Sequence, residues 1–479
     1  MIRELISMYS PGYPRVLIYM LQSSEYRVKP YLQWLSRTKN FSTVMQRRTL
    51  EKTKAARLLL LAARLGITLQ LAAGLLLIYL GTTHHVTGGI FFGLAVIISY
   101  PLVWAYVLVL PLIMGRELVE VPVEQKAIRQ SVTHFAHHPG IKIAVAGSYG
   151  KTTMKELLNT VLSQGLKVAA TPANKNVSRS HAQFAKKLHG DEEVLIIEYG
   201  EGAPGDVARF SQVTHPTHAV ITGLAPAHLD QYKTLKAAGE DIFSLATYLH
   251  GKNVYVNDDS AEVKPFLKQS YKLFDQDGAL GWKTSNIQVS LHGTSFYLNK
   301  GKKSLHLKSG LIGKHQVGYL SLVAALALSL GLSEKQVIDG IAKTEPFEHR
   351  MQPYQLSGAW IIDDTYNGNL EGIRAGTQLL KDLPAKRKLY VTPGLVDQGA
   401  EAERVHIEVG KLIADAKPDL VVLMRNSVTD YIEKGLTQAK FSGKVQIEDN
   451  PLEFYTNLSH FVAHDDLVVM QNDWTDNYA

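Results

Sequence analysis

There is no cysteine among the 479 residues. That excludes disulfide scaffolds, zinc ribbons, thiolate iron–sulfur sites and a cysteine nucleophile, and nothing points to an oxidising compartment. Excess charge of one sign is almost as scarce over most of the chain. Of 51 Lys and Arg against 44 Asp and Glu, 11 basic and three acidic residues fall within positions 1–57, so that segment carries +8 and the remainder −1. A neutral body with a basic arm argues against a nucleic-acid-coating protein. It points to a local anionic partner, for which anionic membrane lipids are the simplest candidate. Disorder is not expected at 46% hydrophobic and 20% charged residues, and the length allows roughly three domains.

Charge vanishes altogether from Leu65 through Gly115, a run of 51 residues without Asp, Glu, Lys or Arg. One helix crosses the hydrocarbon in roughly 20 residues, so the run predicts two spans. The first is LGITLQLAAGLLLIYL, extended upstream by a snorkelling Arg64; GTTHHVTGG is the turn; IFFGLAVIISYPLVWAYVLVLPLIM is the second, bent at Pro101 and Pro111. The turn lacks Lys and Arg, whereas Arg47, Arg48, Lys52, Lys54 and Arg57 precede the first span and Arg116 follows the second. The positive-inside rule then puts both ends in the cytoplasm. A hairpin buried in a soluble body is the other reading of this run. A cleaved signal peptide is not expected behind so long a polar, aromatic and basic segment. Gly89 and Gly93 form a small-xxx-small pair, a pattern common by chance. Residues 1–57 mix basic groups with Tyr13, Tyr19, Tyr26, Tyr31, Trp34 and Phe41. That mixture suits a headgroup zone and a small helical cap on the soluble body equally well.

After Arg116 short β-rich runs alternate with helical stretches, which predicts an α/β domain. IKIAVAG is a buried-strand run, and SYGKTTMKELLNTVLSQG follows it with Gly150, Lys151 and Thr152 opening an amphipathic helix. This is the layout of a phosphate loop. Gly147, Ser148 and Gly150 let backbone N–H groups approach phosphate, Lys151 bridges the outer phosphates, and Thr152, followed by Thr153, ligates magnesium. Position 145 is Val, so the motif is the shorter GxxGKT form; taken alone it also fits an ordinary strand–turn–helix. EVLIIEYGEGAPGDV ends a second apolar strand on Glu198, and THAVITGLAPAHLDQY places His228 just after a third. In an open parallel sheet those strand ends face one crevice, where phosphate loop, carboxylate and imidazole can converge on ATP and Mg2+. By itself His228 reads as readily as a hydrogen-bonded loop histidine.

With GSYGKTT, TPANKNVS, IIEYGEGAPGDV, ITGLAPAHLD, VYVNDDS, GKH at 313–315, EHRM and IIDDTYNGN in this order, the chain resembles the Mur ligase family, most of all its branch that adds D-alanyl-D-alanine to a muropeptide. The resemblance implies ATP-dependent amide-bond formation. A muropeptide carboxylate, on a UDP- or lipid-linked precursor, is activated as an acyl phosphate and attacked by the amine of D-Ala-D-Ala. It implies catalytic roles for Lys151, Glu198, His228 and Arg350, with Thr152, Glu198 and His228 as metal ligands. Asn257, Gln316, Arg350 and Asp364 join the nucleotide site, and Asn174, Asn176, Asn367 and Asn369 lie on the substrate side. From the residues alone, Asp363-Asp364 also reads as a strand-end turn and Arg350 as a solvated base.

Four segments depart from the family pattern. Ile242 stands where most relatives carry a carbamylated lysine, and Glu240 and Asp241 do not share its helical face. GKHQVGY has Gln316 and Tyr319 in place of two asparagines, and VVMQNDWTDNYA lacks the usual Lys-Gly-Ser ending. Upstream, the arm and hairpin stand where a uridine-nucleotide-binding domain is expected. The predicted organisation is therefore a basic cytoplasmic or interfacial arm (1–57), a transmembrane helical hairpin (58–115), a central ATP-binding domain with a mostly parallel sheet (116–344) and a smaller Rossmann-like domain (345–479). AWIID, KLYVTPG, DLVVLM, KVQIE and DLVVMQ are the strands of the last. Two other functions fit the same features: another membrane-anchored ligase of this superfamily, of poly-γ-glutamate synthase or precursor-amidating type, and a non-catalytic nucleotide-binding scaffold.

Overall fold

The computed structural model describes residues 6–24, 26, 28–38, 41, 50, 53–173, 175–226, 229–366, 368–396 and 398–472. They form two compact units, residues 1–126 and 127–479.

In the first unit the uncharged run folds as helices Lys54–Thr83 and Gly89–Val107, both long and apolar enough to cross a membrane. Thr53 caps the first, its hydroxyl accepting from the Ala56 N–H. Their outer faces expose Leu58, Leu65, Leu69, Leu75, Phe91, Phe92, Ile98 and Leu102, a display that water disfavours and lipid accepts. Glycines set how closely the helices meet. A Cβ on Gly93 would lie 2.6 Å from the Gly74 carbonyl oxygen, and one on Gly81 2.8 Å from the Ile90 nitrogen. Gly89 and Gly93 thus lie at the helix contact. Between the helices Gln70 donates to the Val96 carbonyl (2.9 Å) and accepts from the Trp104 indole (2.9 Å).

Pro101 stays inside its helix, while Pro111 opens a separate short helix, Leu110–Gly115, after a break at Leu108–Val109. At that break Val109 N–H turns to the Tyr106 carbonyl, and Tyr31 Oη donates to the Ala105 carbonyl at 2.9 Å. Helices Tyr13–Ser23 and Val28–Arg37 pack here, burying Tyr13, Leu17, Ile18, Tyr31 and Leu35 against Ala63, Ala105 and Leu108. The described part of the arm is therefore a helical cap on the hairpin itself. Arg3, Arg27, Lys39, Arg47, Arg48 and Lys52 lie outside the described residues.

In the second unit β1 (Ile141–Ala146), β2 (Val168–Ala170), β3 (Val194–Glu198), β4 (His218–Ile221), β5 (Val254–Asn257) and β6 (Lys272–Asp275) make a parallel sheet in the order 6-5-4-1-3-2. An antiparallel meander, β7 (Gly278–Ala279), β8 (Trp282–Ser290), β9 (Gly293–Lys300) and β10 (Lys303–Ser309), continues it beyond β6. β1, β3 and β4 are buried along nearly their whole length, as strands covered on both faces must be. Helices Lys151–Leu162 and Val317–Ser329 cover one face, and Asp206–Thr214 and Leu235–Tyr248 the other.

The second sheet has β11 (Gln352–Leu356), β12 (Ala359–Asp364), β13 (Arg387–Thr392), β14 (Leu420–Met424), β15 (Lys444–Glu448) and β16 (Asp466–Gln471), ordered 11-12-16-13-14-15. All its pairings are parallel except that of β11 with β12. The five strands expected from the sequence are all present. β11 and the meander are additions.

Candidate active site

From β1 the chain crosses to the edge strand β2, returns to β3 beside β1, and then passes to β4 on the other side of β1. β1 is thus a topological switch point, and the crevice outside its carboxyl end is where open α/β sheets bind ligands. Register aligns the strand ends: Val145 pairs with Glu198 on β3, and Ala146 with Ile221 on β4. Gly147 and Gly150 both take positive φ, 142° and 72°, which favours glycine. A Cβ on Gly150 would lie 2.2 Å from the Tyr319 hydroxyl. The loop is pinned from below. Ser148 N–H donates to the Gly223 carbonyl, and Thr222 Oγ1 donates to the carbonyls of Ala146 and Tyr149. The Thr222 carbonyl in turn accepts from Asn257 Nδ2 and Tyr319 Oη, each at 2.9 Å.

Helix Lys151–Leu162 starts directly from this loop, so its first-turn N–H groups point into the crevice. Thr153 packs inward and is buried. Thr152 Oγ1 donates to Glu198 Oε1 at 3.1 Å, and Asn176 Nδ2 donates to the same oxygen at 3.2 Å. Glu198 Oε2 is buried and accepts no hydrogen bond from the described residues; Lys155 Nζ lies 3.6 Å from it. A buried carboxylate oxygen left without a donor, beside a hydroxyl, suits a hard cation such as Mg2+, which prefers oxygen ligands and retains several waters. Among the described residues no three His, Asp or Glu side chains form a ready-made cage. The site's carboxylate is held from behind: His181 Nε2 meets the Glu198 carbonyl at 2.8 Å, and burial lowers that imidazole to about 4, keeping it neutral.

Lys151 Nζ lies 2.9 and 2.8 Å from the two oxygens of Glu201 and also donates to the Gly147 carbonyl. Lys155, fully buried, donates to the carbonyls of Thr171 and Ala173 and pairs with Glu156 at 2.9 Å. Sequence reasoning overlooked both Glu201 and Lys155. For Lys155 the signal was its place in the apolar stripe of Met154, Leu157, Leu158 and Val161. For Glu201 it was a second acid three residues beyond Glu198.

Gln316 is buried, with Nε2 2.9 Å from His315 Nε2 and Oε1 without a donor among the described residues. Ile242 lies fully buried in the core. Its neighbour Asp241 accepts from Tyr232 Oη (2.8 Å) and the Gly205 N–H (3.0 Å), and burial raises its carboxyl. Arg350 stacks on Tyr366, its guanidinium carbon 4.5 Å from the ring centroid. Asp364 ends β12; burial pushes it up to about 7 against the donors Gln471 Nε2 and Met351 N–H and the nearby Arg350. Asp363 follows the strand-end reading, accepting from the Thr365 N–H and hydroxyl and pairing with His349 Nδ1 at 2.7 Å. Asn369 caps helix Leu370–Asp382, its oxygen accepting from the Gly372 N–H. Asn174, His228 and Asn367 lie outside the described residues.

Residues 145–328 match the profile of the Mur ligase middle domain. The chain is 29% identical over 295 residues to the UDP-N-acetylmuramoyl-tripeptide–D-alanyl-D-alanine ligase of Escherichia coli (59% of this chain, 64% of that protein). It is 30% identical over 296 residues to the ligase of the same name from Synechocystis (61% and 64%). It thus spans just under two thirds of those curated relatives. Among solved structures it is similar to the MurF ligase of Thermotoga maritima in complex with ADP (TM-score 0.65, 20% identity, 74% of this chain and 81% of that one). It is similar also to MurF from Acinetobacter baumannii (TM-score 0.63, 20% identity, 73% and 77%). The phosphate loop and the strand end bearing Glu198 therefore belong to a Mur ligase middle domain, and the chain has the Mur ligase α/β fold.

Proposed function

We propose that the chain is an ATP-dependent amide ligase of cell-wall precursor synthesis that joins a muropeptide carboxylate to the amine of D-Ala-D-Ala. The observation that carries this reading is the cluster of Lys151, Thr152 and Glu198 at aligned strand ends of a Mur ligase middle domain. The names of the relatives in that region support the choice of substrates. In this reading Lys151 and the loop of Gly147, Ser148 and Gly150 receive the phosphates. Gln316 offers its unfilled acceptor to an amino group such as that of adenine, and Asn257 holds the loop's floor. Arg350 and Asp364 complete the nucleotide site from the C-terminal part. Asn176, beside Glu198, and Asn369 serve the substrate, a role also proposed for Asn174 and Asn367.

Thr152 and Glu198, with His228 as the proposed third ligand, would hold Mg2+, which supplies charge neutralisation at the phosphates. The acceptor carboxylate attacks the γ-phosphorus, the bond to ADP breaks, and an acyl phosphate forms. The neutral amine then attacks the acyl carbon, loses a proton, and phosphate leaves. Lys151 follows charge moving onto the transferred group; the chain's work is alignment and neutralisation.

The hairpin anchors this enzyme in the cytoplasmic membrane, both ends inward, with anionic lipids against the arm. The exposed apolar faces of its two helices support this placement. Full-length protein supplied with Mg2+ and ATP should release phosphate only when acceptor and D-Ala-D-Ala are both present, with UDP- and lipid-linked acceptors tested side by side. Lys151→Ala should lower kcat/KM by about 100-fold or more. ATP binding without release for any acceptor–amine pair would refute the ligase reading in favour of a scaffold.

A further inference from the structure

Lys151 does not stand open to a ligand. Both Glu201 oxygens lie within 2.9 Å of its ammonium, and the Glu201 side chain is nearly as buried as the core. Three residues earlier in the same segment, Glu198 occupies the Thr152 hydroxyl. The two groups that would receive a triphosphate are therefore each engaged by a buried carboxylate. A triphosphate arriving without a cation must take Lys151 from Glu201 and then lie beside two carboxylates of its own sign. In a site this dry, like charges at contact distance repel far more strongly than in water. A triphosphate that brings a divalent cation meets no such barrier, because the cation faces the carboxylates while the phosphate takes the lysine.

We infer that Glu201 makes this phosphate loop select the metal-complexed nucleoside triphosphate and reject the metal-free one. It is a specificity-determining residue, acting through the charge it sets against Lys151. The inference rests on the reading of the loop as a triphosphate site, and binding rather than turnover tests it.

The experiment titrates full-length protein, in detergent or nanodiscs, with ATP in excess EDTA and with MgATP, by calorimetry. Wild type should bind MgATP about tenfold or more tightly than metal-free ATP. Glu201→Gln keeps the shape and removes the charge; it should tighten metal-free ATP by about tenfold and leave MgATP within about threefold. Glu201→Asp, which keeps the charge, should keep the discrimination. Thermal unfolding of each variant confirms that it is folded. Should Glu201→Gln fold poorly, Glu201→Ala carries the same expectation. Unchanged affinity for metal-free ATP in the neutral variant, or equal loss of both forms, overturns the inference while leaving the nucleotide site standing. A wild type that binds neither form overturns the triphosphate reading itself.

Discussion

Lys155→Met tests how the site's carboxylate is held. The lysine is fully buried and donates to two carbonyls, Thr171 and Ala173. It is also paired with Glu156 at 2.9 Å and lies 3.6 Å from Glu198 Oε2. Methionine fills nearly the same volume, so the packing loss is small; the donors and the charge are lost. Removing one member of a buried ion pair costs about 3–5 kcal/mol, and each buried carbonyl left without a donor adds about 1–3 kcal/mol. Water reaching the partly exposed Glu156 and local relaxation offset part of this, leaving a net loss of about 4 kcal/mol. Urea unfolding of the micelle-bound full chain, followed through the buried Trp282, measures it. Glu198→Gln in the Lys155→Met background should cost about 2 kcal/mol less than the sum of the two single changes, because the unpaired charge disappears with it. A Lys155→Met loss below about 1 kcal/mol, or strict additivity with Glu198→Gln, would refute the coupling and show that Glu198 stands without its cation.

Gly93→Ile would drive a branched side chain into the Gly74 carbonyl, 2.6 Å from the first added carbon; cysteine crosslinking between the two hairpin helices should fall, and unchanged crosslinking would show that the helices do not meet there. Asp364 titrates at about 7 when folded, against an ordinary 3.8. Its contribution is fully present below the lower value and is lost as pH rises through the upper one, because the unfolded chain ionises first. Asp364→Asn should therefore gain thermal stability relative to wild type between pH 5 and pH 8, and parallel melting curves across that range would contradict the burial argument. Asn369→Ala removes a helix cap and should cost about 1 kcal/mol; a change confined to the Michaelis constant, with stability untouched, would instead make it purely a substrate residue.

What could be read in advance follows from how local the signals are. The hairpin announces itself through the charge void between Leu65 and Gly115. β1 and the phosphate loop do so through a short apolar run, two glycines and a lysine at a helix start. Glu198 stands out because it ends an apolar strand. Lys155 and Glu201 carry only faint local cues, an apolar helix stripe and a second nearby acid, because their burial depends on strand pairing and loop return across sequence separations of up to 50 residues. The meander was missed for another reason. β8 alternates only weakly, with just Trp282 fully buried, so its period of two is faint among lysines and asparagines. Asn369 carried a legible cap signal, a polar residue just ahead of an amphipathic helix, which the resemblance drew toward a substrate role.

The central claim, that the phosphate loop activates a carboxylate through its own oxygen, is tested most directly with an acceptor whose reacting carboxylate carries 18O. Mass spectrometry of the products formed with Mg2+, ATP and D-Ala-D-Ala should find one labelled oxygen in the released phosphate and the other in the new amide. Label in AMP, or unlabelled phosphate alongside the amide product, would contradict it.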